Sequence, residues 1–272
     1  AGTVEPSKFS TGGFDKKTRQ WDTGDADYYA LTSAISENNT PSARRINNFE
    51  VFDLPNVINY LVVARFVHEN DDVWANMSLY HDNDGDDRWR IIPFDMNLSW
   101  GAIFYEGGMP AVIEGVQATN DTHKAHPLYG SSQALALNSG TYNRVYDTIF
   151  LTPETRQMFL RRTRTLLDTW VKPPGTHPLL LPIERFVRAW RDTLTVEAPL
   201  DRAKWGWPPK GGQSNFDPGI DLNAGVDGII NQFIAQRRLH FYCRHSITNT
   251  ALPIGITRSE EHTSELQSRL HL

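Results

Sequence analysis

The sequence predicts an α+β fold that is mostly helical and contains at least one β-hairpin. Apolar residues recur at helical spacing after Pro55, Pro153 and Pro182. Residues 76–93 instead carry two short strand-like stretches, one on each side of a turn rich in Asp and Gly. The 272 residues include 39% hydrophobic residues and eight Trp, which is ample apolar bulk for a packed core of one or two domains.

Composition excludes several classes of protein. The net charge of −5 argues against a dedicated nucleic-acid-binding protein, because phosphate backbones are held mainly by clustered Lys and Arg. A membrane-spanning helix needs roughly 18 to 20 apolar residues, and the longest apolar region, residues 61–67, already contains Arg65. The single cysteine, Cys243, rules out an internal disulfide framework and a cysteine-cluster zinc site.

The first part of the chain predicts loop followed by two helices. Residues 1–25 are polar and glycine-rich and predict loop, and residues 27–37 predict a short helix. A longer helix is expected to start at Asp53-Leu54-Pro55, with the aspartate as its cap, and to end near Asn70. Its apolar positions recur at helical spacing: Ile58, Leu61, Val62 and Phe66.

A hairpin is predicted next, with strands at residues 76–81 and 89–93 joined by a turn at residues 82–87. The acidic turn is similar in composition to a calcium loop. Gly85 comes too early for an EF-hand, however, and Ile91 stands where the closing glutamate should be. A solvated turn is therefore the favoured interpretation.

Residues 101–140 predict a long loop, and three helices are expected after it. The first starts at Thr152-Pro153-Glu154, and we expect Phe159, Leu166, Leu167 and Trp170 to face inward. The second starts at Pro182 and carries Ile183, Phe186, Val187 and Trp190 on its apolar face. The third spans residues 226–244.

Acidic and amide side chains are concentrated before and after the predicted hairpin. Asp71 and Asp72 precede Asn76 by five and four residues, and Asp95 follows Asn76 by nineteen. Phosphoryl transfer needs oxygen ligands for Mg²⁺ beside a carboxylate that orients or deprotonates the attacking hydroxyl. Because a hairpin can fold the later aspartate back beside the earlier pair, the spacing permits such a site. The alternative is that these side chains cap backbone groups and meet solvent, as Asp and Asn at turns commonly do.

Two motifs around the hairpin give the chain a family resemblance. The first is Asn70-Asp71-Asp72 followed by Asn76-Met77-Ser78-Leu79-Tyr80, and the second is Arg90-Ile91-Ile92-Pro93-Phe94-Asp95-Met96-Asn97 with Gly101. On these motifs, residues 46–101 resemble the CotH family of atypical kinases, first associated with bacterial spore coats. Later elements of the family are similar to residues 146–170 with Pro153 and Arg156, residues 201–205, and residues 233–242 with Arg237 and Arg238.

The resemblance implies an atypical protein-kinase-like fold, mainly its helical large lobe with the β-hairpin. It also implies ATP- and Mg²⁺-dependent phosphorylation of Ser or Thr in protein substrates such as spore-coat or cell-surface proteins. Asp72, or as second choice Asp71, would position the acceptor hydroxyl. Asn76 and Asp95 would hold Mg²⁺ on the nucleotide phosphates, with Asn97 as a further ligand. Relatives often carry a second Asp where Asn97 stands, so a non-catalytic pseudokinase that serves as a coat or surface binding protein is the alternative.

The resemblance also divides the chain. Residues 1–45 are expected to be a polar lead-in left from a truncated amino-terminal region, and residues 46–257 the large lobe, cut short at its end. Residues 258–268 match one reading frame of a common sequencing-library adapter, so residues 258–272 are expected to be a non-native tail. In the family a small lobe with a phosphate-contacting lysine precedes the large lobe. Here the early lysines Lys8, Lys16 and Lys17 occupy polar loop sequence and are expected to be solvated.

Overall fold

The computed structural model describes residues 16–17, 24–69, 77–96, 99–100, 143–205 and 221–244. Over these ranges the chain is mostly helical with one two-stranded antiparallel sheet, which confirms the predicted α+β class. The amino-terminal elements are α1 (Ala26–Ala34), α2 (Pro41–Val51), α3 (Leu54–Val67), β1 (Met77–His81) and β2 (Trp89–Pro93). Four helices follow: α4 (Arg144–Leu151), α5 (Pro153–Leu166), α6 (Pro182–Leu194) and α7 (Glu197–Trp205). A single turn of 3₁₀-helix, Pro178–Leu180, precedes α6.

The last described element is one continuous helical run over residues 222–244, called here the final run. It consists of α8 (Leu222–Asp227), a π-helical stretch (Gly228–Ile234), α9 (Ala235–Leu239) and a second π-helical stretch (His240–Arg244). The predicted helix at residues 226–244 is thus confirmed, and it begins four residues earlier. The Asp221 side chain accepts a hydrogen bond from Ala224 N at 2.8 Å, which caps the first turn.

Helix α3 begins where its sequence predicts and ends earlier. The Asp53 carboxylate accepts a hydrogen bond from Asn56 N at 3.1 Å, and Pro55 occupies the first turn. The helix stops at Val67, not near Asn70, because His68 adopts a left-handed backbone conformation with φ 63° and ψ 47°. This conformation usually selects Gly, so no obvious stop signal is present in the sequence at this point.

The hairpin is confirmed and lies along α3. Met77 pairs with Pro93 and His81 pairs with Trp89, so the turn joins the His81 and Trp89 end. Ile91 N donates to Asn56 Oδ1 at 2.8 Å, which ties β2 to the first turn of α3.

One arginine organises the acidic turn. The Arg90 guanidinium donates to the carboxylates of Asp53 at 2.8 Å, Asp82 at 3.2 Å and Asp86 at 2.6 Å. The turn carboxylates are therefore partly neutralised by protein and fix the turn end of the hairpin at the start of α3. The turn itself occurs where its sequence predicts.

The expectation that Lys16 is solvated is wrong. The Lys16 ammonium lies 3.0 Å from the Asp27 carboxylate, and the two side chains are only 20% and 13% exposed. Burial raises the pKa of Asp27, but hydrogen bonds from Lys16 and from the next backbone N–H outweigh it, so the pKa lies below its ordinary value. Asp27 Oδ2 is 3.8 Å from His81 Nδ1, and the His81 ring stacks on Trp89 at 4.5 Å. Lys16 therefore lies at the turn end of the hairpin.

Helix α3 separates two apolar clusters. One cluster joins α3 to α1, the hairpin, α4 and α5, and the other joins the end of α3 to the final run, α6 and the residues after α5. The fully buried side chains of the two clusters include Leu31, Phe52, Leu61, Ile91, Tyr146, Ile149, Phe159, Val171, Phe233 and Ile234. No helix of the described part is both long and apolar enough to cross a bilayer.

The inward face predicted for the helix after Pro153 is only partly correct. Phe159 and Leu167 are buried as expected, whereas Trp170 is 47% exposed. The helix changes to π geometry over Leu167–Val171, which adds residues to the turn and rotates Trp170 off the buried face while Val171 takes its place. On α6, Ile183 is buried, but Phe186 and Trp190 are more than half exposed.

The sequence does not predict α2, because its only fully buried side chain is polar. Asn48 is inaccessible to solvent, and its amide donates to Thr148 O at 2.9 Å and to Thr152 Oγ1 at 3.0 Å. The Thr148 hydroxyl donates back to Asn48 Oδ1 at 2.7 Å. These buried polar bonds attach α2 to α4 and to the start of α5.

Replacing Asn48 by Ala is expected to destabilise the protein by about 2 kcal/mol, because the Thr148 hydroxyl and carbonyl would lose buried partners. Urea denaturation followed by circular dichroism measures the change. Asn38→Ala is the matched control, since Asn38 is exposed, and it is expected to shift the free energy of unfolding by less than about 0.5 kcal/mol. Equal effects of the two substitutions would contradict a structural role for the Asn48 network.

Candidate functional site

Of the five candidate site residues, Asp95 lies within the described part of the chain. The other four lie outside the described residues, so their positions at the site stay predictions: Asp71, Asp72, Asn76 and Asn97. The structure does describe the residues that flank these positions. The flanks show where each candidate segment starts and ends.

Asp95 presents its carboxylate to solvent just after β2. Its backbone is left-handed, with φ 51°, a conformation that Asp adopts more readily than most residues. Among the described residues, none forms a hydrogen bond or ion pair with this carboxylate. Its oxygens are therefore available to an external cation or donor.

The described residues that follow Asp95 are Met96, Ser99 and Trp100, and each is held by contacts with the protein. The Met96 side chain packs against both apolar clusters, with its sulfur 4.0 Å from the Tyr60 hydroxyl. The Ser99 hydroxyl donates to Met96 O at 2.7 Å. Trp100 N donates to Val67 O at 2.6 Å, which attaches this segment to the last residue of α3. Asp95 is thus an exposed carboxylate on a fixed support.

The hairpin and its continuation run alongside α3 from one end to the other. At one end Asp53 N donates to Trp89 O at 3.0 Å, and at the other end Trp100 N reaches Val67 O. The 14 residues of α3 separate these ends by about 20 Å, at about 1.5 Å of rise per residue. The segment that follows Asp95 therefore meets the end of α3 from which the chain continues into residues 70–76.

The strand pairing brings the start of β1 beside the end of β2. Met77 directly follows Asn76 and pairs with Pro93, which stands two residues before Asp95. The start of β1 and the end of β2 therefore lie side by side, and Met96 and Trp100 contact α3 at Tyr60 and Val67; we call this region the Asp95 corner. The described residues that flank the other candidate positions, Glu69, Met77, Met96 and Ser99, belong to this region together with Asp95.

Strained backbone is also concentrated at this corner. His68, Asp95 and Trp100 all have positive φ, at 63°, 51° and 61°. Left-handed backbone at non-glycine residues costs of order 1–3 kcal/mol each and persists only where the surrounding packing enforces it. Such residues are enriched at functional sites, so the three together support a functional corner.

Sequence reasoning missed the buried residues that pack at the end of α3. His68 and Glu69 are buried, although they lie next to the polar segment that begins at Asn70. Phe233 and Arg237 of the final run are both fully buried beneath the end of α3. The sequence does contain a signal for these residues, an arginine at helical spacing between two apolar residues: Phe233, Arg237 and Phe241. The sequence alone does not show what this face of the helix contacts.

The donors at this corner suit a hard divalent cation. Mg²⁺ prefers oxygen ligands and commonly uses one or two carboxylates besides water and phosphate oxygens. Asp95 offers such a carboxylate, and further oxygen ligands would come from Asn76 and Asn97. Over the described ranges, no group of three or more His, Cys, Asp or Glu side chains is arranged to hold a metal by itself.

Comparison with protein families identifies a family model that matches this chain. The family model described as CotH kinase protein matches residues 5–205 of the chain, well over half of its length. No curated protein and no solved structure matches.

Proposed function

This chain belongs to the CotH kinase protein family, and on that premise we propose that it transfers the γ-phosphoryl group of ATP to Ser or Thr hydroxyls of protein substrates. In this proposal the described helices and hairpin are the large lobe of an atypical protein-kinase-like fold. The substrates would be proteins of a spore coat or a cell surface. The attachment of the segment that carries Asp95 to the end of α3 supports the proposal, because phosphoryl transfer is mostly positioning and electrostatic stabilisation.

The proposed chemistry assigns one role to each residue. Asp72, with Asp71 as second choice, orients the acceptor hydroxyl and takes its proton as the oxygen attacks the γ-phosphorus. The bond from the γ-phosphorus to the bridging oxygen of the β-phosphate breaks, and ADP leaves. Asn76, Asp95 and Asn97 would hold Mg²⁺, which when bound neutralises charge on the nucleotide phosphates.

The observation that carries the proposal is the hydrogen bond from Trp100 N to Val67 O at 2.6 Å. It joins the segment that presents Asp95 to the end of α3, five residues before Asp72 in the chain. Because both segments are anchored at one point, an Asp95-bound cation and an Asp72-bound hydroxyl can approach the same phosphate.

A non-catalytic role is the second candidate. Asn97 supplies an oxygen where relatives often have a second carboxylate, so the cation site would carry one charge less. Lys16, the early lysine with a defined ion pair, lies at the turn end of the hairpin and not at the Asp95 corner. Both observations favour a pseudokinase that uses the corner for binding.

Mg²⁺-dependent transfer is the result expected from the wild-type chain. Incubation with γ-labelled ATP, Mg²⁺ and casein should label the casein or the chain itself, and EDTA should abolish the label. Asp227→Asn, which removes an exposed carboxylate near the start of the final run, is the control and should leave transfer unchanged. Mg²⁺-dependent nucleotide binding without transfer would support the pseudokinase, and absence of both signals would overturn the proposal.

A further inference from the structure

The guanidinium of Arg237 lies beneath the end of α3. It is completely buried, and it donates to Arg65 O at 2.5 Å and to Phe66 O at 3.1 Å. These are carbonyls of the last helical turn, which have no partner inside the helix itself. A cation at this end of a helix also interacts favourably with the helix dipole. Arg237 thus fixes the point at which the chain leaves α3 toward Asp72.

The neighbouring Phe233 ring contacts both strained segments. Its centroid lies 6.3 Å from that of His68 in a stacked arrangement and 5.8 Å from that of Trp100 in an edge-on arrangement. His68 is the first residue after α3, and Trp100 ends the segment that begins with Asp95. One buried ring therefore supports the two segments whose separation matters for the proposed chemistry. The Arg237 guanidinium stands over the same ring at 5.9 Å.

We propose that Arg237 and Phe233 are positioning residues for phosphoryl transfer, and this inference rests on the proposed function. They fix the ends of the Asp72 and Asp95 segments relative to each other, and they touch neither ATP nor acceptor. Positioning errors of about 1 Å can lower a rate by about 100-fold, so a support of this kind is required by the chemistry. Two residues of the final run thereby become part of the support for catalysis.

The chain contains a matched control for this proposal. Arg238, the next residue, is also buried and also caps the end of a helix, donating to Val171 O at 3.0 Å and to Lys172 O at 3.1 Å. It forms an ion pair with Glu184 as well. Its partners belong to the helix that begins at Pro153 and to α6, away from the Asp95 corner. Both arginines are buried and both donate to carbonyls at the end of a helix, but they support different helices.

The test compares Arg237→Lys with Arg238→Lys in the full chain. Each variant keeps the positive charge and loses the two-site guanidinium contact, and both are expected to lower the thermal midpoint by several degrees. Arg237→Lys is expected to lower kcat by about 10- to 100-fold with little change in KM for ATP, whereas Arg238→Lys should leave kcat within about twofold. Phe233→Leu, which retains apolar bulk, is expected to lower kcat by about 10-fold.

A second readout does not depend on catalysis. Hydrogen exchange should accelerate in peptides spanning residues 66–72 and 95–100 of Arg237→Lys, since Trp100 N and its acceptor at Val67 would be less fixed. The same peptides of Arg238→Lys should exchange as in the wild type. Equal behaviour of the two arginine variants in both readouts overturns the inference, as does unchanged kcat despite faster exchange. Absence of transfer in the wild type would instead overturn the proposed function, and the two failures are therefore distinguishable.

Discussion

Replacing Asp95 by Asn is expected to abolish Mg²⁺-dependent ATP binding and, with it, phosphoryl transfer. Asn is the appropriate substitution because it removes the charge while tolerating the left-handed backbone at this position, φ 51°. At an effective dielectric constant of about 20, a unit charge about 4 Å from another contributes roughly 4 kcal/mol, which corresponds to about a thousandfold in affinity. Asp95→Ala would add backbone strain to the loss of charge and would be harder to interpret.

Asp72→Asn, unlike Asp95→Asn, is expected to lose phosphoryl transfer and to keep ATP binding. Loss of a carboxylate that orients and deprotonates the acceptor should lower kcat by about 10²- to 10⁴-fold while ATP still binds with Mg²⁺. The thermal shift induced by ATP and Mg²⁺ measures binding, and incorporation of labelled phosphate measures transfer, both in one preparation. A binding defect in Asp72→Asn together with normal binding in Asp95→Asn would contradict the assigned roles. Asp71→Asn tests the second choice for the acceptor-orienting residue.

The parts of the fold that the sequence predicts are those with local signals. The start of α3 follows from the Asp53 cap and the early proline, and both act within four residues. The hairpin follows from an acidic, glycine-containing turn between two strands, where a Cβ at position 85 would lie 2.4 Å from the Asp82 carboxylate. These devices depend on the immediate neighbours, so one sequence suffices to find them.

The parts that sequence reasoning missed depend on distant partners. Helix α2 buries Asn48, and this makes sense only once Thr148 is known to be its partner, 100 residues away. The end of α3 uses His68 in a conformation that usually calls for Gly, held by packing against Phe233. A pattern search cannot find a stop that is imposed by tertiary contacts.

The candidate site also has residues that the sequence predicts and residues that it does not. Motifs around the hairpin name Asp72 and Asp95, because residue type and spacing carry that information. Their support does not follow from spacing, since the Arg237 guanidinium binds a carbonyl 171 residues earlier in the chain. Sequence therefore predicts the candidate residues, and the structure adds the contacts that hold the end of α3 and the segment that carries Asp95.

Asp147 gives the largest stability effect that we expect. It lies in the first turn of α4 with only 5% of its surface exposed, and among the described residues its Oδ2 has no hydrogen-bond partner. Burial raises the pKa of Asp147 from 3.8 to about 6, against the attraction of Arg144 and Arg44 and with the help of Glu37. The ionised form is therefore the unfavourable one in the folded protein.

The sign of the pH dependence follows from this shift. The folded chain binds the Asp147 proton more tightly than the unfolded chain does, so its contribution to stability is full below pH 3.8 and is lost as the pH rises through about 6. The rise in pKa from 3.8 to about 6 corresponds to about 3 kcal/mol. Asp147→Asn, which stays neutral, should match the wild type near pH 4 and exceed its free energy of unfolding by about 3 kcal/mol at pH 7.

Urea denaturation at several pH values between 4 and 7 measures this difference. Asp201→Asn removes an exposed carboxylate on α7 and should give a difference that does not change with pH. A constant difference for Asp147→Asn would mean that the carboxyl titrates alike in the folded and unfolded chains. A variant that is less stable at pH 7 would mean that Arg144 and Arg44 outweigh burial and that α4 needs the charge. The expected result would instead make Asp147 a buried carboxyl that the fold carries at a cost in stability at neutral pH.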